Sequence, residues 1–174
     1  MEHKFCGHCG TEYTMSEYPR TCYSCRNMKW KNPTPVSVLL VPVNDPITGR
    51  VGILIGERGI NPQKGLYGLP GGFVDPSDPT LEYAALRELQ EETGLSVNIE
   101  NISLFSSYSD TRCMLAFNRS NQILFLQQVE EDFVPCHECP AVRVAWEPEK
   151  LCFTSHTEAL AKWFRWAETP EFMR

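Results

Sequence analysis

Apolar and polar positions alternate with two periods along this chain, and the change of period marks its elements. Val36–Val43 is an apolar, β-branched run, the pattern of a buried strand. Val51–Glu57 reads as a second strand. Between them Asn44-Asp45-Pro46-Ile47-Thr48-Gly49 carries strong turn signals, so the two strands are expected to form a hairpin. Gly59–Pro70 is a Gly- and Pro-punctuated loop leading into Gly71-Gly72-Phe73-Val74. Residues 79–93 then switch to helical spacing, with Leu81, Ala85, Leu86 and Leu89 on one face. Asp78 is the expected cap, Pro79 suits the first helical position, and Gly94 suits the residue after the end. Further strands are predicted at Val97–Tyr108, Ile123–Val129 and Val142–Trp146, with a closing amphipathic helix at Thr157–Ala167. The fold class is α/β, with no internal repeat and no low-complexity tract.

Residues 1–32 break this pattern. They hold little apolar content beyond aromatics and many turn formers, and Asn32-Pro33-Thr34-Pro35 makes a stiff connector. The predicted organisation is a small module at 1–32 and a larger domain at 36–174. The module carries Cys6-Gly7-His8-Cys9 and, twelve residues on, Cys22-Tyr23-Ser24-Cys25. Two close thiolate pairs on separate turns complete a tetrahedral four-sulfur shell for Zn²⁺; such a closed shell is structural. Gly7 and Gly10 ease the first turn, while Arg26 and Asn27 make the second less typical. Cys136-His137-Glu138-Cys139 is a single further pair, read as free loop thiols, with a second metal or a redox pair as the alternative.

Charge and composition exclude some classes. The chain of 174 residues has 42% apolar residues, enough for a packed core. No apolar run approaches the about 18 residues of a membrane helix, and the polar, cysteine-bearing start does not resemble a signal peptide. A cytoplasmic protein is expected. The net charge of −6 argues against broad nucleic-acid binding but not against a polyanionic small molecule, because an acidic site can bind a cation that carries phosphates. Residues 1–35 hold five Lys/Arg against three Asp/Glu, too small an excess to predict nucleic-acid binding, so the module is expected to extend a substrate wall or a dimer interface.

The chemistry concentrates in residues 71–95. On a helix Glu88 lies three residues before Glu91 and four before Glu92, so the three carboxylates share a sector. Like charges so placed destabilise a helix by a few tenths of a kcal/mol per pair, a cost that a divalent cation reverses. Hard oxygen ligands suit Mg²⁺ or Mn²⁺. Arg87 stands four residues before Glu91 and can brace it. A solvated acidic face is the alternative for these residues taken alone.

Their surroundings decide between the two. Arg87-Glu88-Leu89-Gln90-Glu91-Glu92-Thr93-Gly94-Leu95, entered by Leu69-Pro70-Gly71-Gly72, resembles the signature of the Nudix hydrolases, G-x5-E-x7-R-E-U-x-E-E-x-G-U with U bulky and apolar. The second half matches at every fixed position. In the first half the expected Glu falls on Pro79 when counted back from Arg87, whereas Asp78 fits the count from Gly72, as a one-residue insertion would give. Arg58 and Tyr67 before the box, and Val142–Trp146 and Phe153-Thr154-Ser155-His156 after it, also resemble the family, so the likeness covers nearly the whole chain. It implies a Nudix α/β/α sandwich with a mixed sheet, preceded by a zinc ribbon of the kind found in NADH diphosphatases and in a group acting on FAD or ADP-ribose.

The resemblance further implies metal-dependent hydrolysis of a nucleoside diphosphate linked to another group. Glu88, Glu91 and Glu92 become the expected metal ligands, with the Gly71 carbonyl as an extra one, since a bare glycine allows close approach. Glu88 is also a possible proton acceptor. In some relatives the base is a glutamate on a late loop; Glu138 is the candidate here, with Glu130 and Glu131 behind it. Arg58 is a candidate phosphate contact or a surface ion pair. Tyr67, Phe73 and Tyr108 are candidates for stacking on a base, with core packing as the alternative for each. His156 is read as a helix-start or packing residue.

Three readings of substrate stand beside one another. FAD or ADP-ribose type compounds come first, although the ADP-ribose subgroup's proline beyond the box is replaced by Ser109 and Asp110. NADH diphosphatase activity, including removal of NAD-type caps from RNA, is second. Its Ser-Gln-Pro-Trp-Pro-Phe-Pro run has no counterpart between Leu95 and Arg143. A nucleotide-sensing domain without hydrolysis is third; such domains typically lose box glutamates, and all three are present. A homodimer is possible in each case.

Overall fold

The apolar side chains on both faces of the first long strand have a simple cause. In a computed structural model of the protein, which describes residues 4–169, β-sheet alternation sends Val38 and Leu40 into one core cluster and Leu39 and Val41 into another. A sheet covered on both faces takes apolar side chains on both, and buried Ser37, the polar exception, donates its hydroxyl to the Leu81 carbonyl at 2.6 Å. Chain contacts divide the molecule after Pro33 into two units.

The first unit holds β1 (Arg20–Thr21) and β2 (Met28–Lys29), paired antiparallel, and a lone bridge between Phe5 and Glu12. Its cysteine pairs lie on two turns of the same build. Cys6 N–H donates to the Thr11 carbonyl and Gly10 N–H to that of Cys6; Cys22 N–H donates to Asn27 and Arg26 N–H to Cys22. Arg26 takes the place of Gly10, at φ 63° against 74°. This accounts for the atypical second turn: the same left-handed backbone is adopted without glycine.

The second unit holds two mixed sheets between helices. Strands β3 (Thr34–Leu40), β7 (Gly71–Phe73), β8 (Ile102–Ser109) and β9 (Cys113–Ser120) form one, in the order β7-β3-β9-β8, with β3 and β9 parallel. The other has the order β10-β4-β5-β11, made of β4 (Pro42–Asn44), β5 (Val51–Glu57), β10 (Leu124–Phe125) and β11 (Val142–Ala145), with β6 (Tyr67–Gly68) also on β5. Helix α1 (Leu81–Thr93) contributes Ala85 and Leu89 to the cluster around Leu39 and Leu54. Helix α3 (Thr154–Ala167) contributes Leu160 and Trp163 to the cluster around Val38, Ile55 and Phe117. Among the described residues no helix is long and apolar enough to cross a membrane.

The predicted hairpin is present as β4 and β5, but Val36–Val43 is not one strand. The chain leaves the first sheet after Leu40 and enters the second at Pro42, which has no N–H for a ladder. The helix predicted over 79–93 begins at Leu81, and its cap is Thr80, whose hydroxyl accepts from Tyr83 N–H at 3.3 Å. Asp78 is engaged elsewhere. Gly94 ends the helix at φ 74° with its N–H on Gln90, as expected. Val97–Tyr108 is not continuous strand: a 3-10 turn at Ile99–Asn101, capped by Asn98, precedes β8. Ile123–Val129 becomes β10 followed by helix α2 (Leu126–Asp132), because Leu126 and Val129 turn inward three residues apart while Gln127 and Glu130 stay exposed. Strand β9 was unforeseen, since Asn118, Arg119 and Ser120 interrupt its apolar pattern; Asn118 is buried and donates to Ser37 Oγ at 2.8 Å.

Candidate active site and metal centre

The box residues are organised by one guanidinium. Arg87, on the middle of α1, donates Nε to Asp78 Oδ1 at 3.1 Å and Nη2 to Asp78 Oδ2 and the Phe73 carbonyl, both at 3.0 Å. Its Nη1 donates to Glu88 Oε1 at 2.8 Å and Glu91 Oε2 at 3.0 Å. All five N–H donors of the group are thereby used. Asp78 is the carboxylate that fits the count from Gly72, and its hydrogen bonds from Arg87 hold it below the ordinary carboxylate range. The missing signature glutamate is therefore replaced in position by a shorter acid two residues ahead of the helix cap.

The three box glutamates differ in setting. Glu91 is exposed, with 61% of its side chain accessible. Glu88 is half-buried, and its carboxylate lies over bare Gly72: a Cβ there would stand 2.6 Å from Glu88 Cδ. Burial raises the Glu88 pKa against the opposing hold of Arg87, with the charges of Glu91 and Glu138 adding to the rise. Glu92 accepts from Gly71 N–H at 3.0 Å. Burial pushes it to about 8, opposed by that bond and by Arg58, and aided by the charges of Glu88 and Glu138.

Glu92 opens into a cleft also lined by Glu57, Arg58, Glu138 and Cys139. The loop bearing Glu138 is seated by main chain: Gly59 N–H donates to the Glu138 carbonyl at 2.7 Å, and Glu57 N–H to that of Ala141 at 2.8 Å. Arg58 Nε is anchored on the Pro62 carbonyl at 2.9 Å, and its guanidinium stands 5.1 Å from the Phe153 ring centroid. Glu88, Glu92, Glu138 and Arg58 are thus brought within electrostatic reach of one another. Glu130 and Glu131 lie on α2, where Glu131 accepts from Gln127 at 2.7 Å.

The aromatic candidates separate. Tyr67 packs on the core, with the Arg143 guanidinium 4.4 Å from its ring. Phe73 and Tyr108 are exposed, at 63% and 41%. They end one cross-strand row: Phe73 pairs with Val36, Val36 with Leu115, and Leu115 with Tyr108. Direct partners share a sheet face. His156 is buried, accepts Leu69 N–H on Nδ1 at 3.2 Å, and is pushed down to about 3 by burial, so it packs as a neutral ring. Sequence reasoning passed over Glu57; its place beside Arg58 at the end of β5 was the available signal.

In the first unit Cys6 Sγ lies 3.7 Å from Cys25 Sγ and Cys9 Sγ 3.6 Å from Cys22 Sγ. All four sulfurs fall within 4.8 Å of one another. A tetrahedral site with Zn–S of about 2.3 Å has sulfur edges of about 3.8 Å, so the cage fits that ion. Backbone N–H groups of His8 and Cys9 draw the Cys6 thiol down to about 6, favouring the ligating thiolate. No other group of three or more His, Cys, Asp or Glu is gathered this tightly among the described residues, neither around Cys136 and Cys139 nor at the box glutamates. Cys136 Sγ donates to the Glu92 carbonyl at 3.5 Å and accepts from Cys139 N–H at 3.3 Å.

An α/β/α sandwich with a glutamate-rich cleft at one helix and a four-cysteine cage ahead of it defines a class of protein, and comparison with known proteins names the family. The model of the NUDIX domain matches residues 33–167, and the chain belongs to that family. It is 30% identical over 146 residues to the NAD-capped RNA hydrolase NudC of Haemophilus influenzae, covering 83% of this chain and 51% of that protein. It is 47% identical over 57 residues to the ADP-ribose pyrophosphatase of Methanocaldococcus jannaschii, covering 33% of this chain and 32% of that one. The chain spans about half or less of the length of these curated relatives. A NUDIX hydrolase from Nitrosomonas europaea has the same fold, with a TM-score of 0.65 at 23% identity over 94% of this chain and 91% of that one.

Proposed function

We propose that the chain hydrolyses the pyrophosphate linkage of a nucleoside diphosphate derivative, of the FAD or ADP-ribose type, at the cleft of Glu92, Arg58 and Glu138. The supporting observation is Glu92 itself. A carboxylate held up at about 8 by burial, with Glu88 and Glu138 charges against it, makes a site that calls for positive charge. Such oxygen donors suit Mg²⁺ or Mn²⁺, with Glu88, Glu91, Glu92 and the Gly71 carbonyl as the ligands. Bound there, the ion supplies charge neutralisation at phosphate oxygens that otherwise repel a nucleophile. Arg87 holds Glu88 and Glu91 in place. Arg58 pairs with a phosphate, and Glu138 takes the proton of the attacking water. Phe73 and Tyr108 present their rings to the planar bases, while Tyr67 serves the core. The four ribbon thiolates hold Zn²⁺ in a structural role, and residues 1–32 and 36–174 act as ribbon and hydrolase domain of a cytoplasmic protein.

A second reading, hydrolysis of NADH or of NAD-type RNA caps, is favoured by the likeness to the Haemophilus influenzae protein. A substrate panel with Mg²⁺ or Mn²⁺ decides: FAD, ADP-ribose, NADH, NAD-capped RNA, diadenosine polyphosphates and dNTPs. Turnover of FAD or ADP-ribose above the rest is the expected result, and preference for NADH or capped RNA selects the second reading. Metal binding without turnover of any compound overturns both and leaves a nucleotide-sensing domain.

A further inference from the structure

A buried polar chain runs from the first sheet to the start of the box helix. Among the described residues Ser37 and Asn118 are the two polar side chains at 0% exposure. Asn118 Nδ2 donates to Ser37 Oγ at 2.8 Å, and the carbonyls of Val38 and Ala116 also face that nitrogen, at 3.4 and 3.5 Å. These three acceptors fix which way the amide points. The Ser37 hydroxyl in turn donates to the Leu81 carbonyl at 2.6 Å. At the other end Asn118 Oδ1 is buried with no hydrogen-bond partner. A buried acceptor left unpaired is destabilising, whereas apolar groups of the same shape at both positions would be neutral or better. Stability therefore does not account for the pair.

Its placement does. Leu81 is the first residue of α1, and Glu88 stands seven residues on, about two turns, on the same side of the helix. Ser37 is the direct cross-strand partner of Gly72, the glycine on which the Glu88 carboxylate rests. One residue thus reaches both halves of that contact. Its main chain pairs with Gly72 in the sheet, and its hydroxyl holds the start of the helix that carries Glu88. The fit between those halves is close, since a Cβ on Gly72 would stand 2.6 Å from Glu88 Cδ. Arg87 ties the middle of α1 to the Phe73 carbonyl through a long side chain. The Ser37 hydroxyl is one rotatable bond from its strand and allows the start of the helix little travel.

We infer that Ser37 and Asn118 are positioning residues for the hydrolytic reaction: Asn118 orients the Ser37 hydroxyl, and the hydroxyl sets α1 against β7 so that Glu88 meets the metal ion. This rests on the reading of Glu88, Glu91 and Glu92 as metal ligands. The test is Mn²⁺ binding to the zinc-loaded full chain, read from the electron paramagnetic resonance of the free ion. The parent should bind, and Glu92→Gln should lose most of that binding. Ser37→Ala should weaken it about tenfold, as loss of a group that orients a metal ligand does. Ser37→Ala combined with Asn118→Leu should bind as weakly as the single variant although it melts no lower than the parent; a role in stability alone would restore both together. Added to Glu88→Gln, Ser37→Ala should weaken binding no further, whereas independent effects multiply. A parent that binds no Mn²⁺, or undiminished binding in Glu92→Gln, overturns the cleft reading and this inference with it. Parental affinity in Ser37→Ala or in the doubly substituted chain, or a further loss on top of Glu88→Gln, overturns the inference alone.

Discussion

Arg87 donates two hydrogen bonds to Asp78, one to each carboxylate oxygen, while its remaining N–H groups reach Phe73, Glu88 and Glu91. Bidentate charge-assisted pairs of this kind fix orientation as well as energy. Asp78→Ala removes two of the five hydrogen bonds that orient the guanidinium and costs about 1–3 kcal/mol of stability, since only 6% of the Asp78 side chain is exposed. Its larger effect is on Glu88 and Glu91. kcat should fall about ten- to a hundredfold with KM little changed, and Asp78→Glu should recover part of it. Steady-state kinetics alongside thermal melting separate the two effects.

Glu92 makes the metal-free fold sensitive to alkali. Its pKa stands at about 8 when folded against an ordinary 4.5, so between these values the folded chain binds more protons than the unfolded one. Stability therefore falls as pH rises through that window. Glu88 is shifted in the same direction and adds to the slope. Melting of the metal-free protein should show a decline from about pH 5 to about pH 8. Mg²⁺ should reverse that decline, and Glu92→Gln should reduce it.

Glu91→Gln and Glu92→Gln should each lower kcat by orders of magnitude, and circular dichroism should show the fold intact. The stability response distinguishes them. Glu91 is exposed, so its variant melts like the parent. The Glu92 variant, relieved of a buried charge, melts higher at alkaline pH without metal. Near-normal turnover by either folded variant removes it from the metal site.

Gly72→Ala puts a methyl group where the Glu88 carboxylate now lies, 2.6 Å from its Cδ. The glutamate must swing away from Arg87. Hydrolysis should collapse while the melting temperature moves little, a combination that paired activity and melting measurements detect.

The four sulfurs should carry a single zinc per chain, measured by atomic absorption. Because the binding energy of such cages is folding energy, Cys22→Ser should lose the metal and the ordered signals of the first unit.

The sequence disclosed the chemistry more fully than the architecture. Arg87, Glu88, Glu91, Glu92 and Gly94 stand at fixed spacings on one helix, so local geometry alone brings them together. The four paired cysteines are legible for the same reason. Glu57 had only its place beside Arg58 as a signal, because the fold alone brings it to one cleft with Glu92 of α1 and Glu138 of a loop more than eighty residues on. That Tyr67 packs on the core with Arg143 over its ring was not legible, because Arg143 reaches it only through the pairing of β11 with β5. The helix at Leu126–Asp132 was taken for strand because a short apolar run has no decisive period until neighbours choose its face. Asp78 was found by counting, yet its hold on Arg87 needed the turn at Asp75–Asp78, where Asp75 N–H donates to Asp78 at 2.8 Å.

The bare Cα of Gly72 has an evolutionary side. Glu88 rests on it, and its carboxylate occupies the space that a side chain at residue 72 would take. One methyl group there would silence hydrolysis while leaving the helix, its glutamates and the exposed Phe73 and Tyr108 in the sequence. A descendant so altered would still read as an enzyme by its box and would act as a receptor for the same nucleotides. Residue 72 is thus where descendants of this chain could part, one line keeping the reaction and the other only the recognition.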